Sequence, residues 1–159
     1  MTEPRMVVFD LDFTLWDCGG LWVDCTAHPF REAAPGKIVD SAQRHLRLYP
    51  DVLDIMDWLD ERNIPMALAS RTEQPSWACD LLDALEIRKR FQFSEIYPGS
   101  KVSHFGRLWG DSGVDYDEML FFDDELRNIH EVRELGVHSV EVRNGMSADL
   151  FHSTMEKFL

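Results

Sequence analysis

The chain is poor in the residues from which disulfide frameworks, zinc centres and nucleic-acid surfaces are built. Its three cysteines, Cys18, Cys25 and Cys79, are odd in number and form no C-x-x-C pair. Neither a disulfide framework nor a zinc site is expected, and the thiols suit a reducing compartment as small apolar fillers. The six histidines show no H-x-x-x-H or H-E-x-x-H spacing, so an imidazole metal site has no basis. Lys and Arg number 16 against 29 Asp and Glu, a formal net charge of −13. Phosphate backbones repel such a chain at long range, which excludes nucleic acid as a bulk partner. No apolar run nears the roughly 20 residues of a membrane span, so no membrane partner is expected. The opening MTEPRMVVFD lacks a basic segment leading into an apolar stretch. It does not read as a secretory signal, and a cytoplasmic location follows as the expectation.

What is present is a regular alternation. With 159 residues, 45% of them hydrophobic and 28% charged, the chain has the length of one domain, 1–159. Short apolar runs at 5–10, 64–70, 91–96, 118–123 and 137–142 read as strands. Between them lie segments of helical period: Val52, Ile55, Met56 and Leu59 after Pro50 and an N-cap at Asp51; Trp77, Leu81, Leu82 and Leu85; residues 101–109; and Asp124–Leu135 with Gly136 as its stop. A last helix starts near Ser147. Strands alternating with helices imply right-handed crossovers and a doubly wound, Rossmann-like α/β fold: three layers around a parallel sheet of about five strands. Residues 16–45 read as one long irregular stretch, the kind of loop that tends to be functional.

The sharpest feature is the strand end MVVFDLDFT, which places Asp10, Asp12 and Thr14 among apolar neighbours. Buried carboxylates are costly without a cation. Ligands of open α/β sheets sit beyond the carboxyl ends of the strands, where strand order reverses. If the first strand is central, its tip meets Ser70, Arg71 and Thr72 from one neighbour and Asp123 and Asp124 from the other, with Lys101 opening a helix nearby after a Pro-Gly turn. Four carboxylates against one lysine leave a formal −3, and a phosphate would worsen it, so a dication is required. Oxygen-only donors select Mg²⁺. Taken singly, Asp123-Asp124 or Ser70-Arg71-Thr72 read as helix caps and Lys101 as a surface residue; their joint occurrence at strand tips reads as a site. If Asp12 also carries a proton, helped by crowding with like charge, the site with Mg²⁺ reaches about neutrality before substrate arrives.

FDLDFT, LAS, Lys101 and FFDDE resemble the four motifs of the haloacid dehalogenase superfamily, along essentially the whole chain. The longer strings FDLDFTLW, ASRT, EIYPGSKVSHF, FFDDELRNI and LGV resemble the small magnesium-dependent phosphatase-1 family. The resemblance implies a HAD-like fold without a cap domain and a phosphomonoester hydrolase that works through an aspartyl phosphate. It implies Asp10 as nucleophile and Asp12 as general acid and base, the latter also a metal ligand through its backbone carbonyl. Thr14, Ser70, Arg71 and Lys101 would meet the phosphate, and Asp10, Asp12, Asp123 and Asp124 would serve Mg²⁺. Asp124 would hold the metal through a water or orient Lys101. The substrate class it implies is a phosphorylated small molecule, such as a sugar phosphate, or a phosphotyrosine-type phosphoprotein.

Neither gap between the motifs is long enough for a lid, so residues 15–28 are expected to form a minimal helical turn and flap. Trp16, Trp22 and Arg71 are possible substrate contacts, with core packing as the alternative for the tryptophans. Three rival readings arise. Cys25 and Arg31 match the C-x₅-R spacing of cysteine-dependent phosphatases, but CTAHPFR has no glycine and loses a donor at Pro29. A receiver-like module that stores phosphate on Asp uses the same groups, but places its acidic pair on the first strand. A phosphotransferase or mutase would need water excluded, which a lidless site does not achieve.

Overall fold

The computed structural model describes residues 2–158. In chain order, β1 (Met6–Phe9) leads through a tight turn to β2 (Trp16–Asp17), then a 3₁₀ turn at Val23–Cys25, β3 (Arg31–Ala34), β4 (Lys37–Val39) and β5 (His45–Leu48). The alternating part follows: α1 (Val52–Glu61), β6 (Met66–Ser70), α2 (Pro75–Ala84), β7 (Phe93–Ile96), α3 (Lys101–Ser112), β8 (Met119–Asp123), α4 (Leu126–Arg133), β9 (His138–Glu141) and α5 (Ala148–Glu156). Five strands form a parallel sheet in the order β7-β6-β1-β8-β9. β1 is central, with Val7 paired to Met66 on one side and Leu120 on the other. The fold is therefore the doubly wound α/β sandwich expected, with no separate cap domain among the described residues. No helix among the described residues is long and apolar enough to cross a membrane.

The period of two along each strand divides the core into two layers. Val7, Phe9, Met66, Leu68, Leu120 and Phe122 face one side, packed with Ile55, Met56, Leu81 and Phe151 from α1, α2 and α5. Met6, Val8, Ala67, Ala69, Met119 and Phe121 face the other, against Phe105, Leu108, Ile129 and Val132 from α3 and α4. Strands buried on both faces explain why the runs carry no polar alternation. They also align the tips of β1, β6 and β8 at one edge, with the start of α3 beside them.

Three local expectations change. Asp51 precedes α1 but its carboxylate does not cap that helix; it accepts the Ala148 amide at 2.8 Å, tying the start of α5 to α1. α4 begins at Leu126, because Asp123 is still the last residue of β8 and its Oδ1 accepts the Glu125 amide. The stretch 16–45 is not one irregular loop. β2, β5, β4 and β3 form an antiparallel sheet in that order, reaching to Leu48, and the residues expected to form the flap, 15–28, supply its first strand and the 3₁₀ turn. Buried Asp40 braces it, accepting the amides of Ala27, Ala42 and Arg44 and the Arg44 guanidinium. Burial pushes its pKa up, but these donors outweigh burial and hold the carboxyl below its ordinary value.

Candidate active site

β1 delivers Asp10 to the sheet edge, and the chain turns sharply over Leu11–Trp16. The Thr14, Leu15 and Trp16 amides converge on the Leu11 carbonyl, and Phe13 donates to the Trp16 carbonyl at 2.9 Å. The turn holds Phe13 at φ 62°, a left-handed conformation that costs a bulky side chain about 1–2 kcal/mol. Beyond it, Thr14 returns to the strand tip, its hydroxyl on Asp10 Oδ2. From α3, Lys101 follows Gly99, whose φ of 114° suits glycine alone, and Ser100, which caps the helix by accepting the Val102 amide.

Lys101 is almost fully enclosed and bridges two strand tips, with Nζ 2.9 Å from Asp10 Oδ1 and 2.6 Å from Asp123 Oδ2. Burial would push the pKa of the ammonium down, but the two carboxylates outweigh it and hold Lys101 above its ordinary value. Asp10 also accepts the Thr14 hydroxyl through Oδ2, at 3.3 Å. Asp123 receives a further hydrogen bond from Asn128 Nδ2 at 3.1 Å, and the Asn128 Oδ1 takes the Arg71 guanidinium at 2.9 Å. Ser70, Arg71, Thr72 and Lys101 line the same cavity of about 250 Å³ as Asp10, Asp12 and Asp124, with the half-exposed Trp22 at its mouth.

The acids lack sufficient positive charge. Burial, then the neighbouring Asp10, pushes Asp124 up to about 9. Burial and Asp10 raise Asp123 as well, against the opposing pull of Lys101. Carboxylate oxygens of Asp10, Asp123 and Asp124 all lie within 4.8 Å of one another. Opposite ligands of an octahedral Mg²⁺ are about 4.2 Å apart, so this all-oxygen trio lies within reach of one such ion. The Asp12 carboxyl stands apart, its Oδ1 held by Trp16 Nε1 at 2.8 Å and the Val23 amide at 2.9 Å. Burial, opposed by the Trp16 hydrogen bond and aided by the Asp10 charge, raises Asp12 to about 7.

Asp10, Asp12, Thr14, Ser70, Arg71, Lys101, Asp123 and Asp124 thus converge on one edge. Trp16 does not face the cavity; it is fully buried in the core. Lys101 is oriented by Asp10 and Asp123, not by Asp124. Cys25 and Arg31 do not form a phosphate loop, since Arg31 lies on exposed β3 and bonds Gln43. Two residues escape sequence reasoning. Asn128 sits one helical turn past the acidic pair, a spacing that could have flagged it. Buried His104 brings Nε2 to 2.8 Å from the carbonyls of Ser70 and Tyr97. Its Nδ1 also lies 3.1 Å from the Ser100 carbonyl, so the ring ties the end of β6 to the loop before Lys101.

The central sheet and the acidic tips around a buried lysine define a haloacid-dehalogenase-like hydrolase. Solved structures share the fold: a HAD-superfamily hydrolase from Ehrlichia chaffeensis at TM-score 0.71 and 12% identity, covering 98% of this chain and 96% of that one, and a haloacid dehalogenase-like family protein from Streptococcus pneumoniae at 0.67 and 15%, covering 96% and 91%. The family model for acid phosphatase matches residues 2–159. Human magnesium-dependent phosphatase 1 is 40% identical over 156 residues, 98% of this chain and 87% of the relative. A HAD-like hydrolase superfamily protein of Schizosaccharomyces pombe is 37% identical over 150 residues, 87% of this chain and 85% of that protein. The chain belongs to the acid phosphatase family, and magnesium-dependent phosphatase 1 is a relative along nearly its whole length.

Proposed function

We propose that the protein is a Mg²⁺-dependent phosphomonoesterase that transfers the phosphoryl group to Asp10 and then to water. The observation that carries this reading is the buried Lys101 bridging Asp10 and Asp123 beside a cluster of oxygen donors that repel one another. Asp10, Asp123 and Asp124 would hold Mg²⁺ through their carboxylates, and Asp12 through its backbone carbonyl. Bound there, the ion offsets the charge of nucleophile and phosphate, so that two anions can approach.

The Asp10 carboxylate attacks phosphorus in line, and the electron pair of the breaking P–O bond leaves on the substrate oxygen. Asp12, raised to about 7 by burial first and by the neighbouring Asp10 charge, is poised near neutrality to protonate that oxygen. It then takes a proton from the water that attacks the aspartyl phosphate, restoring Asp10. Lys101 stabilises charge on Asp10 and on the transferring oxygens. Ser70 Oγ already accepts the Thr72 amide, so its own hydrogen is free to donate to phosphate, as is that of Thr14 once substrate displaces it from Asp10. Arg71, anchored on Asn128, supplies a second positive group.

Trp22, 48% exposed at the mouth, offers a flat apolar face to a leaving group. This favours phosphotyrosine-type or sugar-phosphate esters. With no cap domain over the site, water has direct access, which favours hydrolysis over transfer to another sugar hydroxyl. The test is phosphate release from p-nitrophenyl phosphate with and without Mg²⁺, followed by a screen of phosphotyrosine peptides and sugar phosphates. Asp10→Asn should abolish release, chelation should abolish it reversibly, and rapid quench with intact mass analysis should find a phosphoryl adduct on the wild type alone. Full activity of Asp10→Asn or in chelator would contradict the reading. A persistent adduct without phosphate release would favour the receiver-like alternative.

A further inference from the structure

Asp12 has two carboxyl oxygens with unequal surroundings. Oδ1 accepts the Trp16 indole N–H at 2.8 Å and the Val23 amide at 2.9 Å. Two donors occupy both lone pairs of that oxygen, so a proton on this carboxyl resides on Oδ2. Both donors come from the segment that closes over the strand tip: Trp16 from β2 and Val23 from the 3₁₀ turn. Trp16 is itself immobilised. Its indole is buried without exposure among the core residues that include Leu11, Leu15 and Leu46, its carbonyl accepts the Phe13 amide, and it pairs with Leu48 across the small sheet.

We propose that Trp16 is a positioning residue for proton transfer, its indole N–H together with the Val23 amide fixing the Asp12 carboxyl so that Oδ2–H faces the leaving-group oxygen. The inference rests on the reading of Asp12 as the proton donor given above. In the first half-reaction the P–O electron pair passes to the leaving oxygen, the Oδ2 proton joins it, and Asp12 is left as a carboxylate still held by both donors. In the second, Oδ2 takes a proton from the attacking water as the phosphorus to Asp10 bond breaks. Without the indole N–H, Oδ1 is held by one bond and the carboxyl can turn about its χ2 axis, which is intrinsically soft.

The experiment is the dependence of kcat/KM on leaving-group acidity, because kcat/KM reports the first irreversible step and a good leaving group needs no proton. A series from p-nitrophenyl phosphate to alkyl phosphates is compared in wild type, Trp16→Phe and Asp12→Asn. Trp16→Phe should lose about tenfold or more on alkyl esters and little on the nitrophenyl ester, a part of the roughly 10²–10⁴-fold that a general acid supplies. A loss equal across the series would show that Trp16 only packs, and an unchanged series would show no role; either overturns the inference. If Asp12→Asn does not steepen the dependence, the reading of Asp12 as acid fails first, a result distinct from failure of Trp16→Phe alone. Should Trp16→Phe not fold by circular dichroism, β-(3-benzothienyl)alanine at position 16 keeps the bicyclic shape, lacks the N–H, and is read by the same criterion.

Discussion

Replacement of Lys101 by Met keeps most of the side-chain volume and removes the one cation that, among the described residues, contacts Asp10 and Asp123, at 2.9 and 2.6 Å. The side chain is 1% exposed, so water cannot substitute for the ammonium. Loss of one partner of a buried pair costs about 3–5 kcal/mol, because it strands the other charge. For a chain of 159 residues, 1 kcal/mol corresponds to about 2–4 °C in melting temperature. Lys101→Met should therefore lower Tm in chelator by about 6–20 °C. Saturating Mg²⁺ should recover part of this, since a dication answers the same carboxylates. The double variant Lys101→Met/Asp123→Asn should be more stable than Lys101→Met alone, as removing a stranded charge relieves the cost. Turnover should fall at least about 10²-fold, the usual loss for one preorganised charge-stabilising group. Thermal unfolding with and without metal, beside phosphate release, measures all of this. A metal-free Tm within about 3 °C of wild type would refute the claim that this bridge restrains the acidic tips.

Further outcomes follow from other parts of the fold. Asp40→Ala strands three amides and a guanidinium and should cost about 2–4 kcal/mol by chemical denaturation. Because the folded Asp40 carboxyl lies below its ordinary value, its stabilisation is present above the unfolded pKa and is lost as pH falls through the folded one. Asp40→Asn should accordingly flatten the acid limb of the stability profile, and an unchanged limb would contradict this. Gly145→Ala places a methyl against the Tyr49 ring at a φ of 76° and should destabilise by at least about 2 kcal/mol in a thermal melt. Cys25→Ser should leave phosphate release unchanged, since Cys25 is exposed and Arg31 pairs elsewhere; loss of turnover would revive the cysteine mechanism.

The alternating elements were legible because burial on both faces of a parallel sheet writes a simple signal: short apolar runs separated by helical periods. The convergence of Asp10, Ser70, Lys101 and Asp123 was legible for a topological reason, since right-handed crossovers and a central first strand force those tips together. The small antiparallel sheet was not. Its strands have two to four residues, and β3, Arg31–Ala34, is exposed at every position, so no hydrophobic period marks it. His104 and Asn128 were also hidden, because a polar residue in an amphipathic helix reads as solvent-facing until the opposite element is in place. Trp16 read as a choice between core and substrate contact; the buried indole that bonds Asp12 is neither alone.

Local sequence thus determined the parallel sheet, its layers and the acidic inventory of the site, because period and residue type act within a few positions of the chain. Tertiary structure alone decided how the charges are shared: that Lys101 bridges Asp10 and Asp123, that Asp124 stands with them as an oxygen donor, and that Asp12 turns to Trp16 and Val23 instead. The Lys101–Asp10 contact alone joins residues 91 positions apart. Hydrogen bonds and desolvation act over a few ångströms of space, a distance that separation along the chain does not encode.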